Sequence, residues 1–360
     1  MNRGSPFPDV IQRVDTLARQ ARDFIAPARH LHLAIDGNTP NLVLEDAAGA
    51  KPLAVSDLVH DQLADATGVP MPYYRRMRTE APELLASNLN TWMARSTSRH
   101  LIRTIHGSGL PVARALLSDR FRPLDNSHLL QAILPTLHEQ GVTIASCELT
   151  ERRLYVKALN QRVTGEVKVG ETVMAGIAIS NREVGLGALT VQPLIYTLRC
   201  TNGMVVEDIS MRRHHVGKRH GGGDDAIQHL LSDEARQADD RAFFLKVRDV
   251  TRGALDEAVF RQQLSKLQQA SQQNMAPAAA EKVIEVTSTR FGLSTTEGAG
   301  ILAHLRGGGD FSQWGLCSAI TRHAQDLADY DRASDLERIG GRVVELGHQD
   351  WSRLAAPSAN

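Results

Sequence analysis

Aromatic side chains make up only 4% of this 360-residue chain. That is too few for an extended base-stacking surface, so any polyanion it holds must be gripped mainly through charge. Cysteine is as scarce: Cys147, Cys200 and Cys317 are odd in number, far apart and set among apolar residues. This excludes a disulfide framework and a thiolate metal knuckle, and predicts buried free thiols in a reducing cytoplasm. No stretch approaches the ~18 apolar residues that span a bilayer, and the opening residues MNRGSPFPDVIQRV hold no apolar signal-peptide region. A soluble, cytoplasmic protein is expected. No Gly-x4-Gly-Lys-Ser/Thr string occurs, which excludes ATP hydrolysis through a P-loop. Gly185-Leu186-Gly187 imitates a dinucleotide loop, but Thr190 stands in the third glycine's place and strands surround it. Neither a cofactor nor a resident metal is expected.

Net charge is also absent, with 41 basic and 41 acidic residues, yet its distribution is uneven. Residues 141–222 carry eleven Lys and Arg against seven Asp and Glu, a net of +4, whereas residues 223–360 carry fifteen against twenty, a net of −5. A basic middle followed by an acidic helical end suits a polyanion site in the middle; ordinary scatter gives the same totals. Apolar and charged contents of 42% and 23% are ordinary for a globular chain.

In chain order, Val10, Val14, Leu17, Ala21 and Phe24 predict an amphipathic helix over 9–24. Residues 30–45 read as two strands about Asp36-Gly37-Asn38, and Ser56 caps a helix over 57–66 that Gly68 ends. Ala64 to Gly68 imitates a helix-turn-helix that would present Tyr73, Arg75 and Arg76 to a groove. Pro70 and Pro72 at its start favour a plain helical hairpin packed on the core. A helix over 82–96 precedes two strands about Gly107-Ser108-Gly109. Arg99, Arg103, Arg114, Arg120 and Arg122 sit on or beside these strands, as part of a basic face or as the solvated side of a hairpin. Asn126 or Ser127 caps the next helix.

Strands are predicted at 142–149, 153–159, 172–180, 188–200, 204–206 and 209–215, with Asn202-Gly203 as a type I′ turn. After Gly221-Gly222-Gly223, helical patterns cover 224–255, 256–273 and a segment from Ala279; the capping box Ser294-x-x-Glu297 opens another. Two more follow at 311–327 and 332–346, with Trp314, Thr321 and Tyr330 in core positions. The fold class expected is α+β. It comprises an N-terminal helical and hairpin region (1–110), a core built on a central antiparallel sheet (111–222), and an all-helical region (223–360). The helical region covers a sheet face or makes a homo-oligomer contact.

The strongest local signal is Arg212, Arg213, His214, His215, Lys218, Arg219 and His220, seven basic or potentially basic residues in nine. Such a run displaces counterions from a phosphate backbone; a solvated hairpin tip is the plainer account. Arg152, Arg153 and Lys157 add to it, and Arg182 joins them. Arg153, Tyr155 and Lys157 share a strand parity, which sets a ring between two cations for stacking on a base. The plainer account is a ring covering the sheet with Lys and Arg stems beside it. His214 and His215 point opposite ways in a strand, which argues against a metal there. Asp125 with Glu166-Val167-Lys168 imitates a metal-dependent nuclease pattern, but Gly165 and Gly170 put the trio at a hairpin tip, a poor mount for ligands.

Five ordered blocks carry a resemblance: SDRFRPLDNSHLL at 118–130, LTERRLYVKAL at 149–159, GIAISNREVGLGALTVQPLIYTLRCTNGM at 176–204, MRRHHVGKRH at 211–220, and SQWGLCSAITRHAQDLADYDRASDLERIGGRVVEL at 312–346. Together they resemble the phage- and plasmid-associated family of domain of unknown function 932. The resemblance implies a setting in mobile DNA and no catalytic residue or cofactor. The element order is also loosely similar to that of Rad52-like single-strand annealing proteins, a likeness of order alone. The function expected is non-catalytic binding of nucleic acid, single-stranded DNA above all, in recombination. The alternatives are a protein-binding or anti-defence role and a metal-dependent nuclease.

Overall fold

The computed structural model describes residues 1, 4–46, 49–185, 187–198, 201–206, 211–214 and 233–355, with 211–214 described by backbone alone. The fold is α+β, with helices at the N-terminus, sheets in the centre and a helical C-terminal region. Pro6 sets an extended N-cap for α1 (Phe7–Gln20), which buries Val10 and Val14. The helix stops before Ala21 and Phe24, although both keep its spacing. Residues Ala21–Pro27 instead form β1, paired antiparallel with β5 (Arg99–Ile105) over its whole length. A full ladder of backbone hydrogen bonds outweighs local helical periodicity here.

β2 (Leu31–Asp36), β3 (Thr39–Asp46), β4 (Gly49–Val55) and β6 (Val112–Ser118) complete a six-stranded sheet in the order β1-β5-β6-β4-β3-β2. Only the short β4–β6 pairing is parallel. The β5–β6 hairpin lies wholly in this sheet, so the boundary expected after residue 110 falls in its loop. α2 (Asp57–Thr67), α3 (Met71–Glu80) and α4 (Pro82–Arg95) cover the sheet, burying Leu63, Tyr74, Leu85 and Leu89 against Leu33, Leu42 and Ile102. α2 and α3 are the plain helical hairpin: Tyr74 and Met77 point inward, and the His60 ring Nδ1 lies 2.7 Å from the Tyr74 hydroxyl.

Burial pulls His60 down from 6.5 to about 4. A histidine held neutral in the fold but protonated in the unfolded chain contributes stability that is complete above pH 6.5 and lost as pH falls toward 4. At about 1.4 kcal/mol per pH unit the total is roughly 3 kcal/mol. Urea midpoints of the wild type are therefore expected to drop across that window more steeply than those of His60→Gln. Equal slopes would remove His60 from the account.

The second sheet holds β7 (Thr143–Leu149), β8 (Leu154–Glu166), β9 (Thr172–Asn181), β10 (Ala188–Thr197), β11 (Gly203–Val205) and β12 (Met211–His214). The order is β11-β10-β9-β8-β7, and β12 shares the outer edge of β10 with β11. Its pairings are antiparallel. Gly203 belongs to β11, so Asn202-Gly203 is not the type I′ turn expected. Asn202 is buried and its amide donates to Ser318 O and the Thr321 hydroxyl, which tie it to the C-terminal helices.

α1, α5 (Asn126–Glu139) and α6 (Asp233–Ala254) pack on one face of this sheet, where Leu129, Ile133, Phe243 and Val247 meet Val156, Ile177 and Val191. The remaining helices are α7 (Glu257–Ala270), α8 (Ala280–Phe291), α9 (Thr295–Gly308), α10 (Gln313–His323), α11 (Tyr330–Val344) and α12 (His348–Ala355). Both halves of the Ser294–Glu297 capping box form at the start of α9. α12 falls where a polar tail was expected; it exists because Trp351 and Leu354 enter the helical core. Among the described residues no helix is long and apolar enough to cross a membrane.

Candidate nucleic-acid interface

Strand alternation does put Arg153, Tyr155 and Lys157 on one side, but that side is not open. α11 lies across it. The Lys157 ammonium donates to Glu337 Oε2 at 2.6 Å and to the Ser334 hydroxyl at 3.1 Å, with Lys157 2% exposed and Glu337 0%. It also stands 4.7 Å from the centre of the Tyr330 ring. The Tyr155 hydroxyl donates to Asp331 at 2.6 Å, and Arg153 reaches Asp335 at 3.8 Å while lying 5.2 Å from the centre of the Tyr155 ring. Burial depresses the Lys157 pKa, with Glu337 pulling the other way. Burial raises the Tyr155 phenol and lowers Arg153. The groove expected along Arg153–Lys157 is thus corrected: its cations are matched to carboxylates of the acidic helical end, and its ring is unavailable to a base.

The helix can lie this close because of what it lacks. Tyr330, Ser334, Glu337 and Gly341 recur at i, i+4, i+7 and i+11, a stripe of polar or small residues along one helical face. A Cβ on Gly341 would stand 2.0 Å from Val205 O of β11, so only glycine permits the approach. That stripe was the legible signal for a buried polar contact, and the sequence reading passed over it.

The other expected contacts separate into two groups. Arg152 is paired with Asp61 of α2, and the Arg182 side chain lies against Gly187, where a Cβ would meet it at 2.2 Å. Arg212 and Arg213 belong to β12, opposite Thr190 and Leu189 of β10. The register carries Arg212 into line with Thr190, Ser180 and Tyr155 across four strands. His215, Lys218 and Arg219 lie outside the described residues.

Arg103, Arg114 and Arg122 do not contribute to a basic face either. Arg103, 3% exposed, donates to Asp23 at 2.9 Å, to Glu183 O at 2.8 Å and to Asp125 at 2.6 Å. Arg114 pairs with the Glu183 carboxylate, which also accepts from the Asn126 amide at 2.7 Å at the start of α5. Arg122 bonds Asp239 and Asp240 of α6. Burial penalises the Arg103 charge, but Asp125, Glu183 and Asp23 outweigh it and the pKa rises; burial also raises Asp23, against the pull of Arg103. Arg103, Arg114, Asp125, Asn126 and Glu183, with His128 and the α1 residues Val14, Leu17 and Ala18, line a cavity of about 170 Å³ where the two sheets meet.

Asp125 and Glu166 do not assemble into a nuclease centre. Asp125 precedes Asn126, which bonds Asn181 opposite the first residue of β8, whereas Glu166 is the last. On the paired strand β9 the same two ends are nine steps apart, Asn181 to Thr172, or roughly 30 Å. Lys168 pairs instead with Asp310 at 2.8 Å, and the hairpin tip is docked by Gln268 donating to Glu166 O. Cys147 and Cys317 are buried, and burial raises both thiols, Cys147 to about 11. Cys200 lies outside the described residues.

No protein-family model, curated protein or solved structure matches the chain.

Proposed function

We propose that the protein binds nucleic acid without acting on it, single-stranded DNA by preference, through the cationic run 212–220 rather than through the strand Arg153–Lys157. One observation carries the reading. β12 brings Arg212 and Arg213 to the rim of the second sheet, on a strand whose ladder among the described residues is with β10 alone. A further supporting point is that cations deeper in the sheets, Arg103, Arg114, Arg153 and Lys157, already face carboxylates. With Tyr155 buried, the grip is on phosphates and carries little base preference. A role in recombination of mobile DNA rests on the residue blocks that resemble domain of unknown function 932.

The test is fluorescence anisotropy with a labelled single strand over a range of salt. Each phosphate contact contributes about −0.7 to the slope of log K against log salt for single strands. Replacing Arg212, Arg213, Lys218 and Arg219 together by Ala is expected to flatten that slope by roughly 3 and to leave the thermal midpoint in place. Unchanged affinity and slope in the folded variant would reject the run as the interface. Salt-insensitive capture of a protein instead of DNA would favour the protein-binding role.

A further inference from the structure

Three side chains of the helical region meet, one from a helix and two from the helix end and turn that follow it. His304 is on α9, His323 is the last residue of α10, and Asp326 closes the short 3₁₀ turn Ala324–Asp326 that follows. Asp326 Oδ2 is 2.6 Å from His304 Nε2 and 3.6 Å from His323 Nδ1, and one ligand atom from each residue lies within 4.8 Å of the others. The first contact is an ordinary hydrogen bond. His323 is different. It is only 9% exposed, and neither ring nitrogen has a hydrogen-bond partner. Its ring sits 6.0 Å from that of His304, centre to centre. Buried polar atoms normally find partners, so an imidazole with two unused nitrogens, packed against a carboxylate and a second imidazole, indicates a missing partner.

The fold makes deliberate room for this ring. Gly300 is one turn before His304 on α9, and a Cβ there would stand 2.4 Å from His323 Cε1 and 2.6 Å from Nδ1. A helix-interior glycine is unfavourable relative to alanine, and here it is what lets His323 lie beneath α9 at the level of His304.

We propose that His304, His323 and Asp326 bind a divalent transition-metal ion, Zn²⁺ by preference. Two imidazole nitrogens with one carboxylate oxygen suit Zn²⁺, whereas Ca²⁺ and Mg²⁺ take oxygen ligands. Bonds of about 2.0–2.1 Å in a tetrahedron hold the ligand atoms roughly 3.3–3.5 Å apart. The 3.6 Å His323–Asp326 spacing nearly meets this, and the 2.6 Å His304–Asp326 contact has to open by less than 1 Å. The Asp326 and His304 side chains are 46% and 28% exposed, so the fourth coordination position faces solvent. Three protein ligands with one open position leave the ion an exchangeable water. The ion ties α9 to the turn between α10 and α11. The site is independent of the 212–220 run and of its reading as a nucleic-acid contact.

The full-length chain, freed of any affinity tag and stripped with EDTA, is titrated with Co²⁺ and then with Zn²⁺. The result expected is one Co²⁺ per chain with the visible absorption of a four-coordinate ion, displaced by one equivalent of Zn²⁺, and a rise in thermal midpoint with either metal. His304→Ala and Asp326→Ala are partly exposed positions, and each is expected to weaken binding by roughly 100-fold, at least the 10–100-fold that loss of an outer-shell partner costs. Gly300→Ala leaves all three ligands present but displaces the His323 ring, and is expected to weaken binding likewise. Absence of stoichiometric binding by the wild type overturns the proposal. So does undiminished affinity in the folded His304→Ala/Asp326→Ala variant.

Discussion

Lys157→Ala is expected to destabilise the protein by about 3–5 kcal/mol, because it strands a carboxylate where water cannot reach it. Glu337 is 0% exposed, Lys157 Nζ is its charge partner at 2.6 Å, and its second oxygen, Oε1, has no hydrogen-bond partner. Removing both charges is a different experiment. Lys157→Met with Glu337→Leu fills the same volume with apolar atoms and is expected to come out neutral or more stable, since two desolvation costs vanish with the attraction. Urea unfolding at pH 7 of the two single variants and the double variant gives the coupling directly. A single-variant loss below about 1 kcal/mol, the size of an exposed pair, would mean that α11 does not seal this face. The candidate groove would then be open after all.

The same contact shows how far the sequence could be read. Strand parity correctly grouped Arg153, Tyr155 and Lys157 on one side of β8, because alternation is a local property of extended backbone. Which side faces solvent is not local. It was decided by α11, more than 170 residues away, through Asp331, Ser334 and Glu337. A strand with charge on one face and Leu154, Val156 and Ala158 on the other reads as half-exposed, and only a complementary helix face reveals otherwise. Helix ends were legible where a local cap sets them, by a side chain at Ser56 and Ser294 and by left-handed backbone at Gly68. The β5–β6 hairpin about Gly107–Gly109 was legible too, but β1 was harder, because a pairing partner distant in sequence decides it. His323 and Asp326 stand three apart at one helix end, but nothing local ties them to His304, which is brought to them by packing; Gly300, one turn before His304, is what lets the His323 ring in.

Arg103→Met is expected to cost a similar 3–5 kcal/mol at pH 7, and its pH dependence separates electrostatics from packing. Arg103 is the common donor to Asp23, Asp125 and the Glu183 carbonyl. Burial already raises the Asp23 pKa, and Arg103 is the group that holds it down. Without that guanidinium, the folded pKa of Asp23 moves further above its unfolded value. A carboxyl of that kind is destabilising when ionised, so the penalty grows as pH rises through the window and shrinks as pH falls. The difference in urea stability between wild type and Arg103→Met should therefore be largest near pH 7 and distinctly smaller near pH 4.5. Arg152→Ala serves as the contrast: its pair with Asp61 is 44% exposed on the arginine side, and about 1 kcal/mol or less is expected. A deficit for Arg103→Met that is the same at both pH values would assign its role to filling space beside the cavity of about 170 Å³. In that case the carboxylates around it would have to be neutralised by other groups, and the join between the two sheets would not depend on charge.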